Sequence, residues 1–159
     1  MTILALDLGT KTGWATLRDG AVESGTWVLA KPAQIKQQKL DNLHRCCDLR
    51  FSRLVSFIES KKPFDVCYYE HVDFASTTLQ GHLWGGFHAI VTMLHPAVRV
   101  VAVPVGTLKK VATGSGNADK DQMKAALART VNAERLAKMD DNEVDAYHLL
   151  MMARIDNNV

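Results

Sequence analysis

Hydrophobic and polar positions along this chain change period several times, and each change marks an element. The apolar run Ile3-Leu4-Ala5-Leu6 is too short for a helix and ends in Asp7 before Gly9, which predicts a buried strand. Two further strands follow over 13–17 and 21–28, joined by Arg18-Asp19-Gly20, an Asp-Gly hairpin turn. After the loop around Lys31-Pro32, apolar residues recur in steps of three and four at Leu40, Leu43, Cys47, Phe51, Leu54, Val55 and Ile58, predicting one long amphipathic helix over 40–58 that ends near Pro63. A strand over 65–70 again finishes in an acid, Glu70. A helix over 77–94, a strand over 98–103 closed by Pro104, and two helices over 120–131 and 141–155 complete the order βββαβαβαα.

Strands separated by helices need crossovers, so this order predicts an α/β fold: three antiparallel strands continuing into two parallel ones, a five-stranded mixed sheet flanked by helices. In that topology the ends of the first and fourth strands are neighbours, which brings Asp7 and Glu70 together. The last helix adds to them. Asp141 and Asp145 stand one turn apart, and Asn142 lies three residues before Asp145, so all three share a face. Behind Asp145 the face is apolar, through Ala146, Leu149, Leu150 and Ala153, so it packs on the sheet and carries Asp145 inward, near Asp7.

Each acid also has a purely structural reading. Asp140 with Glu143 fits a capping box, Asp141 suits a helix first turn, Glu70 suits a solvated strand end, and Asp7 suits an Asx turn with Gly9-Thr10. Asp145 has no such account, because a bare carboxylate on an apolar face is expensive without a cation or a donor. Carboxylates gathered from distant segments onto one sheet edge are what a magnesium-dependent nuclease needs. A second cluster runs from Lys109-Lys110 through Gly114-Ser115-Gly116-Asn117 to Asp119-Lys120. It reads as a phosphate-binding loop bracketed by Lys109 and Lys120, with Asp119 and Gln122 capping the next helix. The Walker pattern G-x-x-x-x-G-K-[ST] is absent from it.

Composition narrows the picture only modestly. The 159 residues, 47% hydrophobic, make one domain over 1–159. A net charge of +2 assigns any nucleic-acid binding to a local patch. Cys46, Cys47 and Cys67 lack zinc-ligand spacing and read as buried reduced thiols. No signal peptide or membrane span is evident, so a cytoplasmic protein without a membrane partner is expected.

Taken together, Ile3 through Trp14, Tyr69-Glu70-His71-Val72, Leu108-Lys109 through Lys120, and Asp145-Ala146 resemble the RuvC family of Holliday-junction resolvases, the short phage-type members in particular. The resemblance implies an RNase H-like fold, a homodimer, and Mg²⁺- or Mn²⁺-dependent symmetric nicking of four-way DNA junctions, with two cations in each active site and no nucleotide cofactor. Asp7, Glu70 and Asp145 match the family's metal-binding acids, and Lys109 and Lys120 match basic residues near the scissile phosphate. The family's fourth acid is replaced by Asn142, leaving Asn142 and Asp141 as rival fourth ligands. The aromatic that some relatives carry three residues after the strand-four Glu is replaced by Asp73, with Phe74 beside it as a candidate wedge. Lys11, Phe74, Lys109, Lys110, Ser115, Asn117 and Lys120 are the expected DNA contacts. The helix bearing Gly81, Gly85 and Gly86 is the candidate dimer surface, with close packing inside the subunit as the alternative use of its glycines. Competing expectations are a YqgF-like RNA-processing nuclease, a non-catalytic junction-binding module, and, from Asp7-Leu8-Gly9-Thr10, an actin-like ATPase.

Overall fold

The computed structural model describes residues 1–41, 43, 48–72, 76–93 and 97–159. Five strands, β1 (Ile3–Asp7), β2 (Lys11–Arg18), β3 (Ala21–Val28), β4 (Val66–His71) and β5 (Arg99–Pro104), form one sheet in the order β3-β2-β1-β4-β5. The first three pair antiparallel, and β4 and β5 extend the sheet parallel to β1, the mixed sheet that the strand order predicted. Asp19 and Gly20 both adopt positive φ, +51° and +79°, as a two-residue hairpin turn of that handedness requires.

β1 is buried at every position because both of its faces are covered. Alternation along the strand divides the core in two. Ile3 and Ala5 join Val66 and Tyr68 of β4 on one face, while Leu4 and Leu6 join Cys67 and Tyr69 on the other. The first face is covered by α4 (Val105–Thr113), α5 (Lys120–Leu127) and α7 (Asp141–Asn157), through Leu108, Met123, Leu127, Ala146, Leu149, Leu150 and Ala153. The second is covered by α2 (Leu49–Ser60) and α3 (Thr78–Thr92), through Leu54, Ile58, Phe87 and Val91. Cys67 is a free thiol at the centre of this second core, and burial pushes it up to about 12, so it stays protonated. Cys46 and Cys47 lie outside the described residues.

The helix expected over 40–58 runs, among the described residues, only from Leu49, and a separate helix ends where that range begins. α1 (Pro32–Leu40) starts at the proline expected in a loop, and α2 begins afresh at Leu49. Asp48 causes the restart: its extended backbone (φ −64°, ψ 115°) and its carboxylate, which accepts from Arg50 N, make it an N-cap. Two short helices were also not expected, α4 directly after Pro104 and α6 (Ala133–Lys138), and α5 ends at Leu127 rather than near 131. Among the described residues no helix is long and apolar enough to cross a membrane.

Gly86 of α3 serves intramolecular packing. A Cβ there would stand 2.3 Å from the ring of Phe51 in α2, so this glycine admits that ring between the two helices. Gly85 has open space around its Cβ position.

Candidate functional site

Asp7 is the last residue of β1 and Glu70 the last but one of its neighbour β4. The register pairing Leu6 with Tyr69 sets them side by side, and strand alternation turns both toward the face covered by α7, with Ile3, Ala5, Val66 and Tyr68. Their carboxyl groups lie close enough for each to shift the other. The turn beyond Asp7 is held locally: Thr12 Oγ1 donates to Gly9 O at 2.8 Å, Leu29 N donates to Thr10 O at 2.9 Å, and Arg50 of α2 reaches Thr10 Oγ1 at 3.2 Å.

α7 brings the third acid. Its N-cap is Asp140, whose carboxylate accepts from Glu143 N at 3.0 Å and from Thr26 Oγ1 of β3 at 2.6 Å, which pins the helix start to the sheet. Glu143 does not complete the expected capping box. It is buried against Arg135 and accepts from Ser24 Oγ at 2.7 Å, tying α7 to α6 and β3. Beneath this turn lies Gly13 of β2, the strand partner of Asp7, and a Cβ on Gly13 would stand 1.8 Å from the Asn142 carbonyl oxygen. The glycine therefore lets the first turn of α7 sit directly on the sheet. One turn later, Asp145 enters the field of Asp7 and Glu70.

Electrostatics show the cost of this gathering. Burial above all, then the charges of Glu70 and Asp145, raises the Asp7 carboxyl well above its usual range. Burial likewise raises Glu70, opposed by its pairing with Asp7 and by Lys109. Asp145 is pushed up to about 7 by burial and by Glu70, again opposed by Lys109. In the metal-free protein, a proton shared between Asp7 and Glu70 is the cheapest way to hold these groups together.

Among the described residues, no three His, Cys, Asp or Glu side chains stand as a ready-made metal cage. The chemistry of the donors nonetheless fits a hard divalent cation: all are oxygens, they are mostly desolvated, and their mutual repulsion is relieved by positive charge. The expected consequence follows from linkage. Folded-state values above 3.8, reaching about 7 for Asp145, mean that the folded chain holds more protons than the unfolded chain between these limits. Stability contributed by these groups is therefore lost as pH rises through that window. Metal-free protein should melt progressively lower from about pH 4 to pH 8, and the increment from millimolar Mg²⁺ should grow over the same range. Differential scanning fluorimetry with and without EDTA measures both slopes; a pH-independent Mg²⁺ increment would contradict the reading.

The other predicted residues divide. Lys109, half-buried on α4, acts electrostatically on Glu70 and Asp145 and so faces the acids. Lys120, exposed at the start of α5, places Nζ 2.6 Å from Asp141 Oδ2. Asp141 is itself exposed and directed to that lysine, whereas Asn142 is half-buried. Lys11, Lys110, Ser115 and Asn117 are exposed, and Phe74 lies outside the described residues. The loop over 114–119, expected to bind phosphate, uses several of its backbone amides locally. Ser115 N donates to Thr113 Oγ1, Asn117 N to Ser115 Oγ and Ala118 N to Ser115 O, so these amides are already satisfied and the loop offers side chains instead. Asp119 and Gln122 do form the expected capping box. Sequence reasoning missed Gly13 and the Arg135–Glu143–Ser24 anchor. A glycine inside a strand was the available signal for the first, since it marks close backbone approach.

No protein-family model matches the sequence, and no curated protein matches it. Among solved structures, that of T. thermophilus RuvC in complex with a Holliday junction substrate superposes with a TM-score of 0.66 at 17% identity, over 98% of this chain and 96% of that one. The chain has the fold of the RuvC-type resolvases. A second T. thermophilus RuvC structure matches with a TM-score of 0.57 at 16% identity, covering 98% and 97% of the two chains. The fowlpox virus Holliday junction resolvase matches at 0.56 and 12% identity, covering 98% and 99%. The shared fold extends over nearly the full length of each of these chains, as the resemblance in the strand-end motifs implied.

Proposed function

We propose that the protein is a divalent-metal-dependent endonuclease that resolves four-way DNA junctions by paired symmetric nicks leaving 5′ phosphates. The observation that carries this reading is the convergence of Asp7, Glu70 and Asp145 on one edge of a RuvC-type sheet, with Lys109 and Lys120 beside them. That one fold relative is junction-bound supports the choice of substrate.

Asp7, Glu70 and Asp145 would hold Mg²⁺ or Mn²⁺, two ions per site, with Asn142 Oδ1 or the Asp141 carboxylate as a fourth donor. Bound there, such cations supply an activated water and a Lewis acid for in-line displacement at phosphorus. The chain's own groups do the rest. The acids fix where the phosphodiester sits, Lys109 and Lys120 offset charge developing on its oxygens, and Lys11, Lys110, Ser115 and Asn117 contact the flanking backbone. Symmetric cutting of a two-fold substrate needs two such sites related by a dyad, so the working form is a homodimer.

The test is cleavage of a synthetic four-way junction with both nicks mapped, run in Mg²⁺, Mn²⁺ and Ca²⁺. Paired nicks at symmetric positions in Mg²⁺ and Mn²⁺, on religatable ends, are expected. Binding without cutting in any metal would instead favour a non-catalytic junction-binding module, to which the amide of Asn142 points, and cutting confined to RNA would favour an RNA-processing nuclease.

A further inference from the structure

Asp141 stands apart from the acids it neighbours in sequence. Asp7 and Asp145 are buried or half-buried, but Asp141 is exposed, and it reaches Asp145 only as a neighbouring charge. The Asp141 carboxylate turns away to Lys120, Oδ2 to Nζ at 2.6 Å. Both side chains leave from fixed points. Lys120 is the first residue of α5, behind the Asp119–Gln122 capping box, and Asp141 is the first residue of α7, behind an Asp140 cap anchored on Thr26. The ion pair thus joins two immobilised helix starts, and it leaves the Lys120 ammonium within the field of Asp145 and Asp7.

We infer that Asp141 is a positioning residue: it parks the Lys120 ammonium at the rim of the acid pocket, where an incoming DNA phosphate takes it over, and it is not a metal ligand. The inference rests on the nuclease reading above. A free lysine has four rotatable bonds to restrict when it is recruited to a phosphate, and a partner that holds it near the reacting centre removes most of that search. A solvent-exposed pair of this kind contributes little to stability, so its value lies in placement. The same negative charge also competes with the phosphate for Lys120 and repels the DNA backbone, which opposes binding. Aid to the chemical step combined with opposition to binding is a signature that neither a ligand nor an incidental surface pair shares.

The decisive experiment compares wild type, Asp141→Asn, Asp141→Glu, Lys120→Met and the Lys120→Met/Asp141→Asn double variant in three assays. These are Mn²⁺ affinity by calorimetry, junction Kd in Ca²⁺, and single-turnover cleavage in Mg²⁺. Asp141→Asn should leave Mn²⁺ affinity unchanged, tighten junction binding by about threefold, and slow cleavage by roughly tenfold. Asp141→Glu should recover most of that rate. In the Lys120→Met background, itself slower by about 10²-fold, Asp141→Asn should cost nothing further. Weaker Mn²⁺ binding by Asp141→Asn, or a full rate loss on top of Lys120→Met, would establish Asp141 as a ligand and overturn the inference while leaving the nuclease reading intact. An Asp141→Asn enzyme that binds and cuts as wild type does would overturn it as well, showing an incidental surface pair. Wild-type protein that cuts no junction in either metal would overturn the function and this inference together.

Discussion

Asp7→Asn should reduce junction cleavage by on the order of 10³-fold or more while leaving junction affinity within about threefold of wild type. The carboxylate stands at the centre of the site: it ends the middle strand, it lies close enough to Glu70 for each to shift the other, and it carries the field of Asp145. Exchanging one oxygen for an amide nitrogen keeps the shape and removes both the charge and one donor atom on which a hard cation would rest. The same variant should be more stable than wild type without metal. Asp7 is only 9% exposed, and its ionised form is disfavoured by burial and by the neighbouring carboxylates of Glu70, Asp145 and Asp140, so the neutral amide relieves about 2 kcal/mol, a rise in melting temperature of roughly 4–8 °C. Added Mg²⁺ should narrow or reverse that order, because wild type gains from the ion what the variant has lost the charge to bind. Loss of activity with a gain in metal-free stability separates a functional acid from a structural one. An Asp7→Asn protein that melts lower in EDTA, or that nicks junctions at the wild-type rate, would remove the basis for the proposed function.

Legibility of this fold in its sequence follows the strength of the physical signal at each element. The strands were readable because β1 and β4 are apolar runs bounded by acids and turns, and because Asp19-Gly20 permits only a tight hairpin between β2 and β3. The two cores were implicit in the alternation along β1. The first helical region misled because apolar spacing from Leu40 to Ile58 runs smoothly across a boundary set by one capping side chain, Asp48, in salt-bridge contact with Arg50. α1 escaped for the opposite reason: Gln34, Lys36, Gln37 and Lys39 give it no apolar stripe, so periodicity had nothing to register. α4 buries only Leu108 and α6 buries no residue, and such short helices are held by their surroundings rather than by their own pattern.

The acids of the site were readable for a related reason. Each breaks a rule of its local environment, ending a buried strand or interrupting an apolar helical face, and conflicts of this kind cluster at functional positions. What sequence spacing does not resolve is direction. Asp141, Asn142, Glu143 and Asp145 occupy a single turn and a half, and side-chain charge alone leaves their targets open. The structure separates them by their partners: Glu143 turns to Arg135 and Ser24, Asp141 to Lys120, and Asp145 to the strand ends. One of those partners, Arg135, lies on α6, a helix too short to have been placed beforehand.

Gly13→Ala should be the most damaging single-methyl change in the chain. The added Cβ would lie 1.8 Å from the carbonyl oxygen of Asn142, 2.3 Å from its carbon and 3.0 Å from Glu143 N. All three are backbone atoms in the first turn of α7, so no side-chain rotation relieves the collision, and the helix start has to lift off β2. That movement strains the Asp140 contact with Thr26, the Glu143 contact with Ser24, and the packing of Val144 and Ala146, so a loss of about 3 kcal/mol or more is expected. Glycine's greater freedom in the unfolded chain would by itself have made alanine the more stable choice. Activity should fall further than stability accounts for, by about 10²-fold even at temperatures where the variant is folded, because Asp145 rides on the displaced turn and a misplacement near 1 Å suffices for such a loss. Gly85→Ala in α3 is the matched control: its Cβ would meet nothing within 4 Å, and removing a helical glycine should raise stability slightly. Thermal melts and junction cleavage of the two variants side by side measure the contrast. Should Gly13→Ala melt with wild type, the direct seating of α7 on β2 would be wrong, and with it the way Asp145 is delivered to Asp7.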